Sequence, residues 1–368
     1  MGNKQIQEAG NNSQQLQSNN MIVNIGIDEK RAREIYHDMT SQTRMEYTKE
    51  ALEVTNSRVT EFENRLFTKM KAVDGVLEAF ADPSFQLLLV EAQKTAASTE
   101  RPPDYDLLSE LLIHRFQKGD NRVIRAGISR AVEIVDKISD DALLGLTIFH
   151  SVSYFIPTSG VIQEGLNTLN DLFGKLCYGN LPLGNEWLDH LDILNSIRLN
   201  TFGSMKKLEQ YYPEVLSGYI DNGIKKNSDD YSIAVELLKN NGLPQNILID
   251  HELNTEYVRL IITNKEHINF LQMELQVVVN GKLSFIKTSL TETQKSIINS
   301  IYELYCKDSN NRSQNVKRFM EEWDKLPNLN KIRQWWDNIN TRIELTSVGK
   351  VLAHSNAQRC DKNLPPLN

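Results

Sequence analysis

The spacing of hydrophobic positions divides the chain into regions of different period. In residues 1–26, Ile6, Leu16, Val23 and Ile25 sit in short alternating runs (KQIQ, QQLQ, MIVNIGI) between the turn clusters Gly10-Asn11-Asn12 and Ser18-Asn19-Asn20. Alternation of this kind predicts two or three short strands. From 28 to 81 the pattern becomes helical, with no proline and a single glycine, Gly75. Phe62, Leu66, Met70, Val73, Leu77 and Phe80 form one stripe spaced 4, 4, 3, 4 and 3. The first half is weaker, with Ile35, Met39, Tyr47, Ala51 and Val54 ahead of a polar patch at 55–58. One rod of ~80 Å, or two helices broken near Thr55, fits this run.

Asp82-Pro83 ends it. Apolar patterns then recur over 85–97, 105–116, 123–138, 141–156, 161–176 and 186–199, separated by Pro- and Gly-containing turns. They predict a helical bundle or solenoid-like body. Between 213 and 287 the signal is mixed: a short helix at 229–240, a strand at 257–263, and a hairpin over 277–285 turned by Asn280-Gly281. Thr291 and Gln294 form a capping box that opens a helix to 305. Further helices are expected at 313–326 and 328–340, then a strand at 342–346 and a helix at 348–358. Three helices followed by a strand resemble a winged helix with one visible wing strand.

The fold class expected is therefore mainly α, with a short N-terminal polar β-segment, a long helix, a helical body and a C-terminal winged-helix-like α+β domain. The expected units are 1–26, an Asn/Gln-rich oligomerisation segment; 27–81, a helical stalk; 82–210, the bundle; 211–287, a linking α+β segment; and 288–368, the winged-helix-like end. Eleven of the first 26 residues are Asn or Gln. Short strands of that composition need partners, most simply other copies of themselves. Ile6, Leu16, Val23 and Ile25 are thus the oligomerisation candidates.

Composition narrows the function. Hydrophobic residues are 40% and charged residues 24% of 368, which excludes a disordered or collagen-like chain. The net charge of −7 argues against a general polyanion binder, although the stretch 287–362 is net positive. Cys177, Cys306 and Cys360 are too widely spaced for a readable disulfide framework or metal motif. Reduced thiols, the absence of a secretory start and Ile6 where a myristoylation motif needs Ser or Thr together indicate a cytoplasmic protein without a membrane anchor. The uncharged stretch 142–162 carries Pro157 and several hydroxyls, so it reads as a buried core helix rather than a membrane span.

No phosphate loop, dinucleotide fingerprint, nucleophile elbow or histidine pair with zinc spacing is present. No cofactor is expected. Asp104 and Asp106 read as solvated acids, and Glu322-Trp323-Asp324-Lys325 lacks the strand context of a nuclease motif. His114-Arg115 reads as a packed helix end. On a winged helix the third helix would enter the major groove. Its outward residues would be Lys331, Gln334 and Asn338, with Arg333 flanking and Arg342 at the wing. Asp337 beside that face, Glu344 in the strand and the Trp335-Trp336 pair favour a protein interface instead.

Three segments resemble a family of bacterial proteins named by locus tags, the Lpo/Vpar type. They are Gly10-Asn11-Asn12-Ser13 through Asn20, Asp82-Pro83-Ser84-Phe85-Gln86 with Ala92-Gln93-Lys94, and Glu344-Leu345-Thr346 through Gly349 to Ala353. That resemblance implies a bacterial cytoplasmic setting and brings no catalytic residue. It points to an intracellular stress or phage-defence role. The leading expectation is a non-enzymatic homo-oligomeric scaffold or sensor, with itself and another protein as partners. A nucleic-acid binder acting through the C-terminal end is the alternative, and an enzyme without a recognisable motif the third.

Overall fold

The computed structural model describes residues 27–44, 49–117, 121–200, 202–279 and 282–367. The chain is mainly α-helical. The oligomerisation candidates Ile6, Leu16, Val23 and Ile25 lie outside the described residues.

Helix α1 (Glu29–Arg44) runs antiparallel to α2 (Lys49–Met70). The Tyr36 hydroxyl donates to the Val59 carbonyl at 2.9 Å, while Arg33 meets Glu63 at 2.6 Å and Lys71 meets Glu29 at 2.9 Å. The stalk expected over 28–81 is thus a helical hairpin, and Thr55 lies inside α2 rather than at a break. The physical reason is the stripe itself. Phe62, Leu66 and Met70 are fully buried, and α1 supplies Ala32 and Tyr36 to cover them. Gly75, at φ +72°, then turns the chain into a 3-10 segment, Val76–Ala81.

The body follows as α3 (Pro83–Ser98), α4 (Pro102–Gln117), α5 (Arg122–Ile134), α6 (Asp140–Tyr154), α7 (Ile162–Leu176) and α8 (Glu186–Ile193). Asp82, Asn121 and Ser139 cap α3, α5 and α6. Helix α6 is buried from Ala142 to Val152, as the uncharged stretch predicted. Among the described residues no helix is long and apolar enough to cross a membrane.

The helix expected over 186–199 is corrected at its end. Asn195 adopts φ +58°, and Ile197–Asn200 form strand β1. Short helices α9 (Leu208–Val215) and α10 (Ser217–Ile220) complete this part.

A second, smaller core collects β2 (Ile224–Lys225), α11 (Asp229–Asn240), β3 (Leu248–Asp250) and β4 (Tyr257–Leu260). The sheet order is β2-β4-β3, all antiparallel, with Ile224 opposite Val258 and Leu248 opposite Leu260. The hairpin of β5 (Gln272–Val279) and β6 (Lys282–Ser289) is longer than its sequence signal, and its two turn residues lie outside the described residues. Its base is anchored on this core through Met273.

Helices α12 (Glu292–Glu303), α13 (Ser309–Asp324) and α14 (Pro327–Asp337), strand β7 (Arg342–Leu345) and α15 (Ser347–Cys360) occupy the places the sequence predicts for a winged helix. Their packing is different. The inward residues of α12, Ile298 and Ile301, belong to the small core. Phe319 and Trp323 of α13 and Ile332 and Trp336 of α14 belong to the main one. Strand β7 pairs with β1, Ile343 opposite Leu199. The expected C-terminal unit is therefore dissolved into both cores. Helix α15, read as its last element, runs through the centre of the body against α4, α5 and α6.

Candidate functional site

The site begins with how α15 enters the body. Thr346 caps the helix by accepting from the Gly349 amide at 3.1 Å, and its hydroxyl donates to the Ser196 carbonyl at 2.9 Å. A Cβ at position 349 would overlap that same carbonyl. The Glu-Leu-Thr-x-x-Gly segment is thus a packing device. The segment 82–94 behaves likewise, while Gly10 to Asn20 lies outside the described residues. Asp82 caps α3, Gln86 donates to Phe80 O at 2.7 Å, and Gln93 donates to Thr40 Oγ1 at 2.9 Å.

Small residues let α15 approach its neighbours, and three polar ones within its buried stretch, His354, Ser355 and Asn356, are fully buried. His354 Nε2 donates to the Pro365 carbonyl at 2.9 Å, since a carbonyl can only accept. Its Nδ1 is then an acceptor, and His150 Nε2 of α6 donates to it at 3.2 Å. Gln358 donates through its amide nitrogen to Leu364 O and Pro365 O at 3.2 and 3.1 Å. Its oxygen therefore accepts from His114 Nε2 of α4 at 2.5 Å, and His114 Nδ1 accepts from Ser355 Oγ at 2.9 Å.

Two chains of donors thus converge on one carbonyl, and together they hold the C-terminal strap, residues 361–367, across the body. Burial first, then the neighbouring His354 ring and the Lys350 ammonium, push His150 down to about 3. Burial and His114 push His354 down to about 4. Both rings are neutral at ordinary pH. Ser355 beside His114 resembles a nucleophile and base, but the serine is completely buried, and an amide rather than a carboxylate holds the far nitrogen.

The strap separates two clefts. The larger, about 710 Å³, lies between α7, the loop after α6 and the strap, with Phe155, Leu169, Leu172 and Pro365 among its walls. The smaller, about 360 Å³, lies over His114 and Gln358. A third cleft of about 540 Å³ gathers Asp104, Asp140, Asp141, Tyr178 and Arg359. Its charges are mutually occupied. Thr99 and Arg101 donate to Asp104 at 2.5 and 2.9 Å, and Arg101 also reaches Asp140 at 3.0 Å. Burial still pushes the Asp104 carboxyl above the ordinary aspartate range. Arg359 donates to Asn356 at 2.8 Å and lies over the Tyr178 ring. Among the described residues no group of three or more His, Cys, Asp or Glu side chains is placed to hold a metal ion.

The nucleic-acid candidates fall elsewhere. Lys331 and Gln334 are exposed on α14, and Asn338 is exposed at its C-cap. Arg333 is clamped by Asp324 at 2.5 Å, Glu209 at 3.4 Å and Asp337 at 3.7 Å. Arg342 pairs with Glu344 at 3.3 Å. The structure brings none of these five to the strap. Asp106 is paired with Arg65 and Lys69 on α2. The residues that sequence reasoning missed are His150, His354, Ser355 and Gln358. The available signal was polar side chains at i, i+1 and i+4 in an apolar, small-residue helix, and a histidine inside an uncharged stretch.

Fold and site together define a mainly helical protein whose polar centre fastens its own C-terminus. A family model with a locus-tag "-like" description matches residues 26–365, and the chain belongs to that locus-tag-named family of unknown function, in keeping with the resemblance of its motifs. No curated protein and no solved structure matches the chain.

Proposed function

We propose that this is a non-enzymatic cytoplasmic binding protein, a homo-oligomeric scaffold or sensor. One observation carries the reading. The polar groups of the histidine network, the feature most like a reaction centre, are spent on fastening the strap, while the larger of the two clefts beside them is walled mainly by apolar side chains. Assembly is supported by the β5–β6 hairpin. Its strands pair over eight residues and, among the described residues, with no third strand. A two-stranded sheet is marginal alone in water. The hairpin sequence carries Val277, Val278 and Val279 opposite Ser284, Leu283 and Lys282. The alternating segment 1–26 is the second assembly element of this proposal.

Light scattering tests it on the full chain, on a chain lacking 1–26, and on Ile286→Lys, at a half-exposed hairpin position. A defined oligomer that one of these changes dissociates supports the proposal. A monomeric full chain removes it. Nucleic-acid binding through α14 has weaker support, because Trp335 and Trp336 are buried in the body and Arg333 is neutralised. A duplex shift at ~50 mM salt, where phosphate contacts are strongest, would restore that alternative. The proposed setting in stress or phage defence is tested by plating phage on cells with and without the gene.

A further inference from the structure

We propose that the 710 Å³ cleft beside the C-terminal strap binds a small cationic amphiphile, an aromatic or aliphatic amine, with its ammonium against Asp171 and its apolar body against Phe155, Leu169, Leu172 and Pro365. This names the ligand class for the binding-protein reading and rests on it.

The volume lies in the small-molecule range of about 300–1,000 Å³. The walls select an apolar body, because α7 and the loop after α6 face the strap with aliphatic and aromatic side chains. The charges at the rim select its polar end. Lys175 is engaged by Asp361 at 2.8 Å, so that pair is internally neutral. His267 is uncharged, since burial lowers its pKa, and its Nδ1 meets the Thr263 hydroxyl. Asp171 remains. It is exposed on α7, lines the cleft, and has no ion pair or hydrogen bond among the described residues. An anionic ligand would meet that carboxylate and compete with Asp361 for Lys175. A cation meets a free counter-charge at the edge of an apolar wall, which is the arrangement an amphiphilic amine requires.

The experiment is calorimetric titration of the full chain with three probes of one shape: tryptamine, tryptophol and indole-3-acetate. Tryptamine is expected to bind tightest, by about three- to fivefold over tryptophol, the value of one exposed charge pair. Asp171→Asn should erase that preference and leave tryptophol binding unchanged. Thr168→Trp, which adds bulk at an exposed wall position, should weaken all three probes. Melting curves of both variants establish that they fold. Indole-3-acetate binding as tightly as tryptamine overturns the proposal. So does an Asp171→Asn protein with the wild-type preference, or no binding of any probe at millimolar concentration. Recovering the probes after incubation separates the two readings. Unchanged probe with no binding defeats this site alone, whereas chemically altered probe defeats the non-enzymatic reading.

Discussion

Two buried polar centres hold this molecule together, and they use opposite electrostatics. The first is charged. Arg259 of β4 is completely buried, and its guanidinium grips Glu252 at 2.7–3.0 Å. It also donates to the carbonyls of Gly160 at 2.7 Å and Leu260 at 3.1 Å, and lies over the Tyr219 ring. Glu252 in turn accepts from the Ile162 amide at 2.9 Å, so the clamp ties the small core to the start of α7. The second centre is the neutral histidine relay under the strap. A charge survives burial where acceptors from several segments converge on it. A ring given one donor and one acceptor is best left neutral. The first arrangement joins cores, and the second fastens an edge.

The largest expected effect breaks the charged centre. Arg259→Met leaves Glu252 and the carbonyls without their donor, and should cost about 3–5 kcal/mol. The denaturant midpoint measures it. A loss under ~1 kcal/mol would mean that apolar packing, not the clamp, joins the cores.

Acidification separates the centres next. His150 and His354 sit at about 3 and 4 when folded, and His251, buried and near Arg259, at about 4. Unfolded histidine takes its proton near pH 6.5. Protonation therefore favours the unfolded chain. The stability of the neutral rings is complete above about pH 6.5 and is lost as pH falls towards 4. Each ring contributes up to about 1.4 kcal/mol per pH unit in that window. The variant His150→Leu/His354→Leu should show a flatter decline between pH 6.5 and 4, with His251 and His267 among the groups that supply the remainder. An unchanged slope would place the acid sensitivity outside the strap.

Gln358→Ala acts on the hydrogen bonds of the relay rather than by replacing a histidine. It removes the acceptor of His114 and the two Gln358 hydrogen bonds to the strap, and should cost about 1–2 kcal/mol in thermal or denaturant unfolding. A cost equal to that of Arg259→Met would erase the distinction between joining cores and fastening an edge.

What the sequence made legible follows the same division. The helices of the body announce themselves by 3.6-residue periodicity and Pro or Gly breaks, and α3 to α7 lie close to where the pattern places them. The stripe of α2 was equally plain, yet it does not say what covers it. The covering element is α1, folded back. The sequence of β1 continues a helical pattern, because the partner that makes it a strand, β7, lies far along the chain. Small and polar residues blur the apolar face of α15 in the sequence, although those residues are what admit it to the centre. The histidine relay joins positions 150 and 354, which no local window contains.

The smallest effect on stability is the most specific to the strap. Lys175 is half-exposed and its pair with Asp361 lies at the rim, so Lys175→Met should cost under ~1 kcal/mol globally. The same lysine holds the Asp361 carboxyl below the ordinary aspartate range. Removing it should bring that carboxyl back up in an NMR titration. Asp361 also accepts from the Asn363 amide at 3.1 Å, so hydrogen exchange at Asn363 should quicken. The core amides of α15 should not change. Faster exchange throughout α15 would mean that the strap and the central helix open as one unit, and that the relay is part of the core rather than a fastening laid over it.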